Sequence, residues 1–156
     1  MRILFILLSA ALLISTHTQS QIRNKITIKS NGIKVKQAFL LFDDSGKLVP
    51  EGNKIEVNQQ VNLRLIIEGW KPVNGKVFLG SAEKITTDEG DVILDEKDLF
   101  ADYIETGFDA KDAKVITLSA TITSIEELFK YFLVTFKVWD RKSSAYVTGS
   151  YRLYLK

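Results

Sequence analysis

The chain has 156 residues, with 21 basic and 19 acidic side chains, no cysteine and a single histidine, His17. A balance this close to neutral argues against a nucleic-acid partner. Without cysteine there is no disulfide and no thiol nucleophile, and His17 lies in a segment expected to be removed. Ser–His–Asp and Cys–His catalysis, the usual zinc sites and haem held by histidine or cysteine are therefore excluded in the mature chain.

The chain opens Met1-Arg2-Ile3-Leu4-Phe5 and stays apolar to Ile14, then turns polar through Ser15, Thr16 and Thr18 to Ser20. One positive charge, a short apolar run and a small-residue exit predict a secretory signal peptide over residues 1–20. The apolar run falls short of the ~20 residues that a membrane helix needs. The mature chain is then expected to carry no transmembrane segment. Residues 21–156 are expected to form one exported domain, periplasmic, cell-surface or secreted.

From Gln21 to Ser30, Ile22, Ile26 and Ile28 are interleaved with polar residues, and Asn31-Gly32 signals a turn. A second extended run covers Ile33–Phe42 and ends in the turn Asp43-Asp44-Ser45-Gly46. Lys54–Val57 predicts a short strand. In Gln60–Glu68, Val61, Leu63, Leu65 and Ile67 all point one way. Short strands are expected at Gly75–Leu79, Lys84–Thr87 and Asp91–Leu94, the last two paired around Asp88-Glu89-Gly90. In Asp95–Gly107, Leu99, Phe100, Tyr103 and Ile104 are spaced as one helical face, which predicts a short helix or helical turn. Alternation returns over Ala113–Thr123.

Ser124-Ile125-Glu126-Glu127 has the spacing of a capping box, with a helical turn to follow over Ile125–Lys130. The run Tyr131–Asp140 alternates strictly: Phe132, Val134, Phe136 and Val138 oppose Tyr131, Thr135, Lys137 and Trp139. Ile125, Leu128, Phe129, Phe132, Phe136 and Trp139 also recur at helical spacing, so one long helix is the competing reading. The β-branched Val134, Thr135 and Val138 favour the strand. Arg141-Lys142-Ser143-Ser144 then makes a hairpin turn into Ala145–Leu155, where Val147, Tyr151, Leu153 and Leu155 oppose Tyr146, Thr148, Ser150, Arg152 and Tyr154.

Many short strands separated by turn signals predict an all-β, antiparallel β-sandwich with one or two short helical turns. The order strand, helical turn, strand opening on Tyr131, hairpin and last strand resembles the end of an immunoglobulin-like domain. That resemblance covers Gln60–Leu155 and places Tyr131 near the tyrosine corner of such domains, without their cysteine pair. The leader and the ending Gly149-Ser150-Tyr151-Arg152-Leu153-Tyr154-Leu155 are similar to small exported proteins of Bacteroidota-type bacteria.

Two candidate sites emerge. Residues 81–112 hold 3 basic against 11 acidic side chains. Asp88, Asp91, Asp95 and Asp98 are calcium candidates if that loop folds back, since calcium takes six to eight oxygens. The alternative is a solvated acidic loop. The other candidate is a face made of Lys137, Trp139, Tyr146, Arg152 and Tyr154, brought together as cross-strand neighbours. Flat rings beside basic and hydroxyl groups suit a sugar ring or a partner's loop, although such pairs also stabilise sheets without binding anything. The expected function is a non-catalytic binding or structural module contacting protein or glycan at the cell envelope. The alternatives are a subunit of an envelope or surface assembly and, more remotely, a carboxylate-dependent glycoside hydrolase.

Overall fold

The computed structural model describes residues 21–123 and 129–156. The predicted signal peptide and the capping box at residues 124–127 lie outside the described residues. The strands in chain order are β1 (Gln21–Ile22), β2 (Thr27–Asn31), β3 (Lys34–Phe42), β4 (Lys54–Ile55), β5 (Gln60–Glu68), β6 (Lys76–Val77), β7 (Leu79–Thr87), β8 (Val92–Glu96), β9 (Phe108–Asp109), β10 (Val115–Thr121), β11 (Phe132–Asp140) and β12 (Tyr146–Leu155).

β6 and β9 pair with each other in a small two-stranded sheet, and the other ten strands build two packed sheets. One has the order β1-β3-β5-β10, and the other β2-β12-β11-β7-β8, with β4 joined to the end of β12. The order β3-β5-β10 against β12-β11-β7-β8 matches strands A-B-E against G-F-C-C′ of an immunoglobulin-like sandwich. The fold class is as expected. Among the described residues no helix is long and apolar enough to cross a membrane.

The core follows from alternation. Val61, Leu63, Leu65 and Ile67 of β5 are fully buried, as are Val134 and Val138 of β11 and Val147 and Leu153 of β12. At roughly 1.5–3 kcal/mol per buried aliphatic side chain, this inner layer is the main source of stability. The Tyr131–Asp140 stretch is a strand, so its helical spacing was coincidental: β-branched residues on a surface buried on one side favour the pleat.

Three local expectations are corrected. The helical turn expected in Asp95–Gly107 is present as a 3₁₀ turn, Ala101–Tyr103, but Leu99, Tyr103 and Ile104 are exposed rather than forming a buried helical face. Asp95 and Glu96 belong instead to β8. The other helical turn among the described residues is 3₁₀ as well, at Asp112–Lys114. The first run, Gln21–Ser30, is two strands rather than one: β1 pairs with β3, and β2 pairs with β12 in the other sheet.

The break between them is a corner at Asn24 and Lys25, whose φ angles are 55° and 51°. Asn24 is fully buried there. Its Nδ2 donates to the Val49 carbonyl at 2.8 Å and to Asn53 Oδ1 at 3.0 Å, and its Oδ1 accepts from the Leu40 amide. Asn53 Nδ2 donates in turn to the carbonyls of Asn24 and Arg152. The polar atoms of both side chains are thus satisfied, as burial requires.

Candidate binding face

The outer surface of the β2-β12-β11-β7-β8 sheet is a stack of cross-strand rows. At one end Trp139 of β11 lies between Tyr146 of β12 and Gly80 of β7. A Cβ at Gly80 would collide with the indole, so glycine is what lets the ring lie directly on the β7 backbone. Lys137 Nζ stands 5.7 Å from the centre of the Trp139 ring and 5.8 Å from that of Tyr146, and the Arg141 guanidinium is 5.6 Å from Trp139. Such cation–π contacts hold rings and charges in place.

The middle rows carry hydroxyls and lysines. Lys137 pairs with Thr148 and Thr148 with Lys29. The next row is Thr27, Ser150, Thr135, Lys84 and Asp95. Thr148 Oγ1 donates to the Phe136 carbonyl at 2.8 Å, which leaves its lone pairs as acceptors. At the far end Arg152 pairs with Leu133, and its guanidinium lies 4.5 Å from the centre of the Tyr131 ring. Tyr131 meets Tyr154 edge-on, with ring centres 6.2 Å apart. A cavity of about 320 Å³ opens there, lined by Lys25, Thr27, Leu133, Arg152 and Tyr154.

All five predicted residues, Lys137, Trp139, Tyr146, Arg152 and Tyr154, stand on this one face. They are not one cluster, however. Lys137, Trp139 and Tyr146 meet at one end, Arg152 and Tyr154 at the other, with the hydroxyl rows between. The sequence reading missed Gly80, Arg141 and the lysines Lys25, Lys29 and Lys84. The short strand expected at Gly75–Leu79 ends one residue before Gly80, which leaves Gly80 without its outward position opposite Trp139. The available signal was the two-residue spacing that sets Gly80, Ala82, Lys84 and Thr86 on one side of β7, opposite the outward positions of β11.

The acidic block is differently arranged from the expected calcium cluster. Asp88 Oδ1 accepts from the Lys130 amide, at the β7–β8 turn. The backbone amide of Asp91 donates to Thr87 Oγ1 within the same turn. Asp95 is on β8, bonded to Lys97 Nζ at 2.6 Å. Asp98 is bound to Arg141 and accepts from the amides of Ser81 and Phe100. Burial acts to raise the Asp98 pKa, but the Arg141 bond and the two amides together hold it below the usual carboxylate range. The four carboxyls do not converge, because three of them already serve other groups and they lie on different stretches of backbone. Among the described residues no group of three or more metal-binding side chains forms.

One carboxyl is pushed the other way. Burial raises Glu83 from 4.5 to about 7. Such a value suits a general acid, but Glu83 faces the core at 2 % exposure, on the side of β7 away from the outer rows. Neither of its oxygens has a hydrogen-bond partner among the described residues.

No protein-family model matches the chain, and no curated protein does. A solved structure described as the C-terminal domain of wzt is similar, with a TM-score of 0.56 at 13% identity, over 90% of this chain and 83% of that one. At that identity the likeness extends to the β-sandwich fold.

Proposed function

We propose that this protein is an exported, non-catalytic binding module that holds a glycan chain along the outer face of the β2-β12-β11-β7-β8 sheet. The supporting observation is Trp139, seated on Gly80 and flanked by Lys137, at the head of a hydroxyl track that ends in the Arg152–Tyr131–Tyr154 cleft. A sugar presents C–H groups to an aromatic face and hydroxyls to polar neighbours, and this face offers both side by side. Trp139 and Tyr131 are eight positions apart on one extended chain, roughly 27 Å. That suits several linked sugars better than one.

The test is a pull-down of the purified protein on insoluble polysaccharides and, in parallel, on solubilised cell envelope, with Trp139→Ala beside the wild type. Retention on a glycan, lost in Trp139→Ala while the circular dichroism spectrum is unchanged, is the expected result. Retention of one envelope protein with no glycan overturns the reading in favour of an assembly subunit. Glycan binding that survives Trp139→Ala shows that the face is elsewhere.

A further inference from the structure

We infer that the ligand of this face is an anionic polysaccharide, a chain bearing carboxylate, sulfate or phosphate groups at repeated positions. The inference rests on the glycan reading above and adds the charge of the ligand. On the outward positions of β2, β12, β11 and β7 every charged side chain is a cation: Lys29, Arg152, Lys137 and Lys84. The acid on the neighbouring β8 position, Asp95, is already engaged by Lys97. Lys97 and Lys84 both hold its carboxyl below the usual range, the Lys97 hydrogen bond most of all.

The cations are free to act on a ligand. Lys29, Lys137 and Arg152 form no ion pair among the described residues, where the pairs that form use other basic groups. Lys137 and Arg152 are instead held against aromatic rings, 5.7 Å from Trp139 and 4.5 Å from Tyr131. A ring holds a cation without neutralising it, so the charge stays available while its position is restricted. Lys25 adds a further positive group at the wall of the cleft.

Spacing points to a polymer. Lys29 and Lys137 lie in the row next to Trp139, Lys84 in the following row and Arg152 in the one after. Positive charge therefore recurs at each step along the track, every ~7 Å of extended chain. A neutral glycan gains nothing from this arrangement, and a single terminal acid would meet only one of the steps. Four strands whose outward charges are all positive, with the one neighbouring acid, Asp95, already paired with Lys97, also raise the local concentration of a polyanion before contact.

Affinity electrophoresis tests this with matched polymers: polygalacturonate and alginate, the same two after carboxyl reduction, dextran beside dextran sulfate, and double-stranded DNA. The expected result is about tenfold stronger retardation by an acidic polymer than by its neutral counterpart. The double variant Lys137→Gln/Arg152→Gln should lose that difference with an unchanged circular dichroism spectrum, and Trp139→Ala should lose binding. The carboxylated and sulfated arms show which acid is preferred. Equal retardation by reduced and unreduced polymers, still lost in Trp139→Ala, overturns the charge inference and leaves the glycan reading standing. Retardation by DNA as strong as by glycans, indifferent to Trp139→Ala, overturns both, as does no retardation by any polymer.

Discussion

The inner faces of β5 and β7 share a rhythm and differ in chemistry. Both strands bury alternate positions over nine residues. On β5 those positions are Val61, Leu63, Leu65 and Ile67; on β7 they are Leu79, Ser81, Glu83, Ile85 and Thr87. Ser81 Oγ, both Glu83 oxygens and the Tyr151 hydroxyl are buried without a hydrogen-bond partner among the described residues. Burial first, and the Glu83 carboxyl second, push the Tyr151 phenol well above its ordinary value. The sandwich thus has a dry half under β5 and a polar seam under β7. A period of two reports which side of a strand is covered, and says nothing about what the covering medium has to solvate.

The largest effect should come from transplanting the seam's charge to the dry side. Leu65→Asp places an ionised group where no partner exists and is expected to abolish cooperative unfolding. A Leu65→Asp protein with a wild-type melting curve would show that the dry half tolerates charge and that the contrast is false.

Next comes pH. Unfolded, Glu83 loses its proton near 4.5; folded, it keeps it until about 7. The folded state binds more protons between those values, so stability falls as pH rises through that window and levels off above it, by about 3 kcal/mol in all. Denaturant melts from pH 4.5 to 8 measure the slope. Glu83→Leu, of similar volume, should flatten it and raise stability at pH 8 by about 2–3 kcal/mol. A slope that survives Glu83→Leu belongs to another group. Below pH 4 the sign reverses, because Asp98 and Asp95 are held below their usual range and lose their partners when protonated.

Smaller effects sort the seam's polar groups into used and unused. Thr87 is inward and polar, but its Oγ1 accepts from the amides of Glu89 and Asp91 in the β7–β8 turn. Thr87→Val should cost about 1 kcal/mol. Tyr151→Phe deletes a hydroxyl that bonds to nothing among the described residues and should be neutral or stabilising, by less than about 1 kcal/mol. A clear loss in Tyr151→Phe would mean that the hydroxyl is satisfied in solution, with buried water the natural partner.

This contrast also explains what was legible in the sequence. The strands β5, β10, β11 and β12 were readable because their buried positions are apolar, so hydropathy and burial coincide. The outward placement of Lys137, Trp139, Tyr146, Arg152 and Tyr154 followed from that phase. On β7, Ser81 and Glu83 sit at buried positions, so the alternation looked broken, and the strand was read as two pieces with Gly80 between them. The split of the first run at Asn24-Lys25 was hidden for another reason. Its cause is a tertiary network with Asn53, Val49 and Leu40, which no local pattern records. The helical spacing in Asp95–Gly107 yields only one 3₁₀ turn, because Asp98 ties the segment to Ser81 and Arg141. Of its apolar side chains, Phe100 reaches the core while Leu99, Tyr103 and Ile104 stay exposed.

The pairing of β2 with β12 carries a consequence in time. Thr27 meets Ser150 across 123 positions of sequence, through the hydroxyl pair at 2.8 Å and the Ser150 amide. The second strand in the chain closes its sheet only with the last. A contact map weighted to such distant partners makes folding slow, since the loop entropy is spent before the pairing repays it. While the ribosome still holds the final strand, β2 and β11 have no β12 to lie between them. β2 therefore has no sheet partner until β12 has emerged.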